Sequence, residues 1–277
     1  MFTFRRMAAV ASAAAVAAVV VALTAAPAGA VIDGTDDTAN QYQNVGALQL
    51  RIGDEWFTFC SGTLVEQDVV LTAAHCTDFF TAAVGEEGLG PDDLRVTFDV
   101  VADEDATYYG AETVVVHPDW LTAPPGMGNS KHLFLASPAE DIALIFLESD
   151  VSGVTPAPVA EPGYLDGLDL TSEIFTVVGY GTDEFVTGSF FAPNAITLFD
   201  GVRSYRDVTV ITTHDAFPDR FLKITAGVCF GDSGGPLFHG DTLVALNTWT
   251  FSARCAGPNL EYRVDSAQAQ EFLDTYL

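Results

Sequence analysis

The sequence predicts an all-β protein, a sandwich or barrel, with one short helix at its C-terminus. Three observations predict it. Short runs rich in Val, Ile, Thr and Phe recur along the chain, separated by clusters of Gly, Pro and Asp. Helical periodicity shows only near the end. After residue 30 no apolar run has the length of a membrane-spanning helix.

Taken in order, the first segment reads as an export signal rather than as part of the fold. Arg5 and Arg6 open it, an Ala/Val-rich run from Ala8 to Leu23 follows, and Pro27 leads into Ala28, Gly29 and Ala30. A basic start, an apolar middle and a small-residue end form the pattern of a secretory signal cleaved after Ala30. An uncleaved anchor is the alternative, since the run is only slightly short of the roughly 18 residues a spanning helix needs. The paired arginines suit both the twin-arginine and the ordinary export route.

Strands are expected at Val45 to Ile52, Thr63 to Leu71, Leu94 to Val101, Thr113 to Val116, Ile142 to Leu147, Ile174 to Val178, Val208 to Ile211 and Leu243 to Trp249. Between Trp120 and Glu140 the composition turns to Pro, Gly, Ser and Asn. A second Pro/Gly-rich stretch, Ser152 to Gly167, is the better linker between two β halves of one domain spanning residues 31–277. Last comes the helix. Ala269, Phe272, Leu273 and Tyr276 follow the i, i+3, i+4, i+7 spacing after a capping Ser266.

Acids number 38 against 11 Lys and Arg, for a formal charge of −27, which becomes −29 without the signal. Such a surface repels nucleic-acid phosphates and anionic membranes, so neither is expected as a partner. The acids are scattered, which reads as a solvated surface rather than a binding tail. Four cysteines, Cys60, Cys76, Cys229 and Cys255, form two local pairs in an exported chain, so disulfides are favoured over metal ligation. Three connectivities are open. Loop closure favours Cys60 with Cys76 and Cys229 with Cys255, at about 3 kcal/mol each.

Three segments carry residues suited to nucleophilic catalysis. Ser233 lies in Cys229-Phe230-Gly231-Asp232-Ser233-Gly234-Gly235-Pro236. Its hydroxyl needs a base, and the charged intermediate needs two donors that a glycine-rich turn can supply, the amides of Gly231 and Ser233. His75 ends Leu71-Thr72-Ala73-Ala74-His75 beside Cys76, and Asp141 opens Asp141-Ile142-Ala143-Leu144 at the mouth of a strand. Alone, a histidine or a strand-edge aspartate is usually structural.

In the order His, Asp, Ser, these segments resemble the trypsin/chymotrypsin family of serine proteases. The likeness extends to Cys60-Ser61-Gly62-Thr63-Leu64-Val65, Val116-His117-Pro118, Val178-Gly179-Tyr180-Gly181 and Asn247-Thr248-Trp249. It implies two six-stranded antiparallel β-barrels with the active site between them. It also implies a triad of His75, Asp141 and Ser233, a Gly231/Ser233 oxyanion hole, and no cofactor or metal. The partners it implies are a protein or peptide substrate and a protein protease inhibitor, with the enzyme itself a monomer. Trypsin-like enzymes carry an aspartate six residues before the nucleophile, where this chain has Gly227. With Thr250 and Asn259 as further pocket walls, small or medium uncharged residues are expected before the cut.

The family's serine before the tryptophan is Thr248 here, whose hydroxyl is expected to bond near Asp141. Glu86, Glu87, Asp92 and Asp93 fall where some relatives bind calcium, and are read instead as a solvated acidic loop. Val31-Ile32-Asp33-Gly34 matches the family's mature start, so signal cleavage itself is expected to free a Val31 terminus that pairs with Asp232. His117 matches a non-catalytic position. His132, His214 and His239 are read as surface or loop residues. A catalytically silent binding protein on the same fold is the alternative. An α/β-hydrolase esterase would want G-x-S-x-G and the order Ser, Asp, His, which the chain lacks.

Overall fold

The computed structural model describes residues 31–77, 90–121, 140–182, 201–213, 218–250, 252 and 255–277. Residues 1–30, expected as a signal, and Glu86, Glu87, Lys131, His132 and His214 lie outside them. So does most of the Pro/Gly/Ser/Asn-rich stretch before Glu140.

The fold is mostly β, as expected. After a short β1 (Thr35–Asp36), six strands close into a barrel: β2 (Val45–Ile52), β3 (Glu55–Glu66), β4 (Val69–Thr72), β5 (Leu94–Thr97), β6 (Tyr108–Val116) and β7 (Ala143–Leu147). Their order around it is β2-β3-β4-β7-β6-β5, each pair antiparallel. Inward-facing Leu48, Leu64, Val70, Leu94, Val96 and Ile145 fill the interior. The expected run from Thr63 to Leu71 is two strands, because Gln67 and Asp68 turn the chain between β3 and β4.

The second half holds β8 (Phe175–Gly179), β9 (Ser204–Val208), β10 (Val210–Thr213), β11 (Phe221–Ile224), β12 (Pro236–His239), β13 (Thr242–Thr250) and β14 (Asn259–Arg263). With β1 they form one sheet in the order β1-β9-β8-β12-β13-β14-β11-β10. Only Thr209 separates β9 from β10, so one chain segment supplies the strand next to one edge and the strand at the other, and the sheet curls into a half-barrel. The curl is pinned where the Thr225 amide donates to the Thr209 carbonyl at 3.0 Å. The stretch from Ser152 to Gly167 passes between the halves: the Ala157 amide bonds Leu64 O at 2.8 Å, and the Ala160 amide bonds Leu243 O at 2.9 Å.

A one-turn helix α1 (Pro118–Leu121) follows β6, and the chain closes with helix α2 (Ala267–Tyr276). Ser266 caps it as expected, its Oγ accepting from the Ala269 amide at 3.2 Å. Ala269, Phe272 and Leu273 are buried. Tyr276 is 45% exposed, so the apolar stripe stops one turn earlier than the spacing suggested. Its ring rests on Phe272 instead, with centroids 5.2 Å apart.

Arg203 joins the two halves from a fully buried position just before β9. Its Nε donates to Asp37 Oδ2 at 2.9 Å, and its Nη1 donates to Val45 O, Phe98 O and Tyr180 Oη at 3.0, 2.9 and 3.0 Å. Val45 and Phe98 belong to the first barrel, Tyr180 to the end of β8. Asp37 in turn accepts from the Gln41 and Tyr42 amides at 2.7 and 3.0 Å. A guanidinium withdrawn from water is tolerated only when its donors are used, as these are. Replacing Arg203 with Met strands the Asp37 charge and takes a donor from four acceptors: Val45 O, Phe98 O, Tyr180 Oη and Asn40 Oδ1. Urea denaturation is expected to show a loss of about 3–5 kcal/mol, and adding Asp37→Asn to Arg203→Met should recover part of it.

Candidate active site

Strand pairing brings the first two site residues together. β4 and β7 are antiparallel neighbours with Thr72 opposite Ala143, so the end of one lies beside the start of the other. His75 stands three residues past the end of β4, in a helical turn over residues 74–77, and Asp141 stands two residues before β7. Asp141 is fully buried. Its Oδ1 accepts the His75 amide at 2.9 Å, and its Oδ2 meets His75 Nδ1 at 2.8 Å. One carboxylate thus grips both backbone and ring. The imidazole is 25% exposed.

Ser233 reaches the same place from the other half. The Cys60–Cys76 disulfide fixes the residue after His75 to β3. The Ser61 amide, next to Cys60, donates to the Ser233 carbonyl at 2.8 Å, and Cys76 Sγ lies 3.5 Å from that oxygen. Ser61 Oγ donates to Gly231 O at 2.9 Å and accepts the Tyr180 amide at 3.0 Å. Gly234 shows why this approach needs glycine: its φ is +77°, and a Cβ there would sit 2.1 Å from Thr72 Oγ1 and 2.6 Å from Ser61 O. Gly231 likewise has φ +93°. Among the described residues, the amides of Gly231 and Ser233 donate to no internal acceptor.

Asp232, fully buried, anchors the loop from behind, with Oδ2 accepting the Cys229 amide at 2.8 Å and Oδ1 the Gly181 amide at 3.0 Å. The second disulfide, Cys229–Cys255, closes the loop's base. Val31 is buried close by, its amide on Ser204 Oγ at 2.6 Å. Ser204 pairs with Gly179, and a Cβ on Gly179 would lie 2.2 Å from Asp232 Oδ1. Val31 and Asp232 therefore flank the same pair of strands. The Ile32 amide continues to Gly227 O at 3.0 Å.

Of the expected pocket residues, Gly227 and Asn259 lie together. Asn259 Oδ1 accepts the Gly227 and Val228 amides at 3.2 and 3.3 Å, and its Nδ2 donates to Val228 O at 3.1 Å. The side chain is buried with its polar atoms all used. Thr250 is half-buried, its Oγ1 donating to Ser252 O at 3.2 Å.

Thr248 departs from its expected part beside Asp141. Its hydroxyl donates to Leu246 O at 3.0 Å and accepts the Tyr262 amide at 3.2 Å, because a bulge in β13 at this residue turns the side chain onto β14. Asp93 is engaged by Arg51 at 2.7 Å. The cluster of Cys60, His75 and Cys76 offers ligand atoms close together, but both sulfurs are spent on their disulfide.

Sequence reasoning missed the group that supports Asp141 from the second half. The preceding residue, Glu140, is buried, paired with Arg220 at 2.8 Å, and accepts from Tyr262 Oη at 2.6 Å. Burial pushes the Glu140 carboxyl up, partly opposed by Tyr262 and Arg220. Burial also pushes the Tyr262 hydroxyl well up, and the Glu140 charge adds to it. His117, buried and 5.2 Å from the Phe272 ring, is pushed down by burial, which suits a packing residue.

The chain is similar to chymotrypsin-like elastase family member 1 of Macaca fascicularis, at 28% identity over 75% of this chain and 72% of that one. It is 25% identical to a chymotrypsin-like serine proteinase of Haliotis rufescens, over 85% and 88% of the two chains. With a trypsin of Saccharopolyspora erythraea it shares 26% identity over 82% and 89%. The family model named Trypsin matches residues 31–272, nearly all of the chain beyond its first thirty residues, and this protein belongs to that serine protease family.

Proposed function

We propose that this protein is a secreted serine endopeptidase that cleaves peptide bonds through an acyl-enzyme. The observation that carries the reading is the grip of buried Asp141 on both the amide and Nδ1 of His75. That grip fixes the ring's tautomer and orientation and stabilises its cation. Ser233 is the nucleophile, His75 takes its proton and returns it to the leaving amine, and the Gly231 and Ser233 amides receive the oxyanion. No step calls for a cofactor. Among the described residues no helix is long and apolar enough to cross a membrane.

Substrate choice follows from the pocket. Gly227 brings no counter-ion, Asn259 is buried with its polar atoms committed to the backbone at 227 and 228, and Thr250 narrows the wall. A charged side chain entering there loses its hydration without compensation. Small or medium uncharged residues are therefore preferred before the cut.

Activation follows from the buried start at Val31. A terminus freed there lies beside the strand pair that Asp232 also flanks, where an ammonium can neutralise the carboxylate and order the oxyanion loop.

Four outcomes are expected. A serine-directed fluorophosphonate should label the native protein but not Ser233→Ala. Turnover should fall about four to six orders of magnitude in Ser233→Ala or His75→Ala, with the double variant little worse; a catalytically silent protein would label in neither form. A peptide-library profile should be led by residues such as Ala, Val or Leu before the cut, and one led by Arg or Lys would reject the pocket reading. Protein starting at Val31 should turn over faster than forms with one or two added N-terminal residues, equal rates removing the terminus from the mechanism.

A further inference from the structure

Behind the nucleophile loop, β13 and β14 place two polar side chains opposite each other with no side-chain donor between them. Asn247 and Glu261 are cross-strand partners, and both are fully buried. Directly opposed residues of an antiparallel pair share a face, with Cβ atoms about 5 Å apart. On this face Asn247 Oδ1, Glu261 Oε1 and Glu261 Oε2 are buried without a hydrogen-bond partner. The orientation of the Asn247 amide is not in question, because its Nδ2 faces two carbonyls, Asp232 O at 3.2 Å and Val178 O at 3.4 Å. Three acceptors are thus gathered where a buried acceptor left unpaired costs about 1–3 kcal/mol.

A single proton resolves the conflict. Resting on the serine-peptidase reading above, we propose that Glu261 is a positioning residue that works as a carboxylic acid. Its O–H donates to Asn247 Oδ1, and so fixes the amide that holds the Asp232 carbonyl. That carbonyl and the Ser233 N–H belong to one planar peptide unit. Tying down the oxygen therefore aims the N–H at the oxyanion position. Glu261 is sealed from solvent and touches no substrate, so its action runs through Asn247.

The surroundings agree. From the nucleophile loop Asp232 faces Glu261 with a like charge. From β13 the Thr248 amide favours the ionised form, and from β11 the residue opposite is the apolar Leu222. Burial leads, Asp232 adds to it, and the carboxyl stands well above its usual range against the pull of Thr248. Since the folded value is raised, the stabilising effect is complete below the ordinary carboxylate range. It is lost as pH climbs through the raised value. Above that value two buried carboxylates oppose each other at the foot of the loop.

The direct test follows the side-chain carboxyl carbons of protein labelled with ¹³C at Glu Cδ, with Glu140→Gln and Glu261→Gln to assign the two buried signals. A Glu261 carbon still protonated at neutral pH is expected, and one ionising in the ordinary range would overturn the proposal. This reading stands even if the chain hydrolyses nothing. In turnover, Glu261→Leu removes the donor and should lower kcat about tenfold with KM little changed, less than loss of an oxyanion donor outright. Glu261→Gln, whose amide donates without ionising, should restore kcat and carry it to higher pH than the parent sustains. Identical alkaline limbs for parent and Glu261→Gln would also overturn it. If Glu261→Gln does not fold, Glu140→Gln alone assigns the remaining buried signal and the titration still decides.

Discussion

The placement of one half of this molecule against the other depends on a guanidinium that never meets water. Arg203 sits between the closed barrel and the curled sheet and donates to Asp37, to carbonyls of the first barrel and to the Tyr180 hydroxyl. Apolar contact is non-directional and would let two β bodies slide or rotate. Directed bonds from one rigid fork allow a single arrangement. The candidate site needs that arrangement, since His75 and Asp141 come from one half and Ser233 from the other.

Acids tell the same story at the scale of the chain. Most of the 38 are surface charge. Among the described residues Asp37, Glu140, Asp141, Asp232, Glu261 and Asp265 are buried, and each stands at a joint. Asp37 and Glu140 pair with arginines between the halves, and Asp141 holds His75. Asp232 braces the nucleophile loop. Asp265 ties Arg263 and the Leu165 amide ahead of α2. Glu261 alone leaves both carboxyl oxygens unsatisfied, with the Thr248 amide the donor that bears on it. A buried acid without a cation is a place to look for a proton.

Reading the sequence recovered those parts whose signal is local. The run from Val45 to Ile52 matches β2 end to end, since its residues suit a strand buried along most of its length. The segments around His75 and Ser233 were legible because each joins a reactive side chain to a cysteine or a glycine-rich turn, whereas Asp141, at a strand edge, was legible only through the family resemblance. β12 escaped notice because it opens on Pro236. β14 escaped because Asn259, Glu261 and Arg263 look like surface residues and are all buried. The support of Glu140 by Arg220 and Tyr262 was invisible for another reason: the three are far apart in the chain and each is ordinary alone. Thr248 was misplaced because a bulge, which sequence does not mark, decides where its hydroxyl turns.

The segment shared by β9 and β10 bears on how such a chain acquires its shape. Residues 204–213 must zip to 175–179 on one side and to 221–224 on the other. The hairpin partner forms quickly, whereas the remaining neighbours of the sheet arrive only with residues 236–263. Completion of this sheet is therefore a late, long-range event that waits on residues 236–263. During synthesis the first barrel can be complete while the second half is still an open ribbon with bare edges. A chain in that condition is exposed to proteolysis, and the loop that carries Ser233 is unformed until residues 236–263 have joined the sheet.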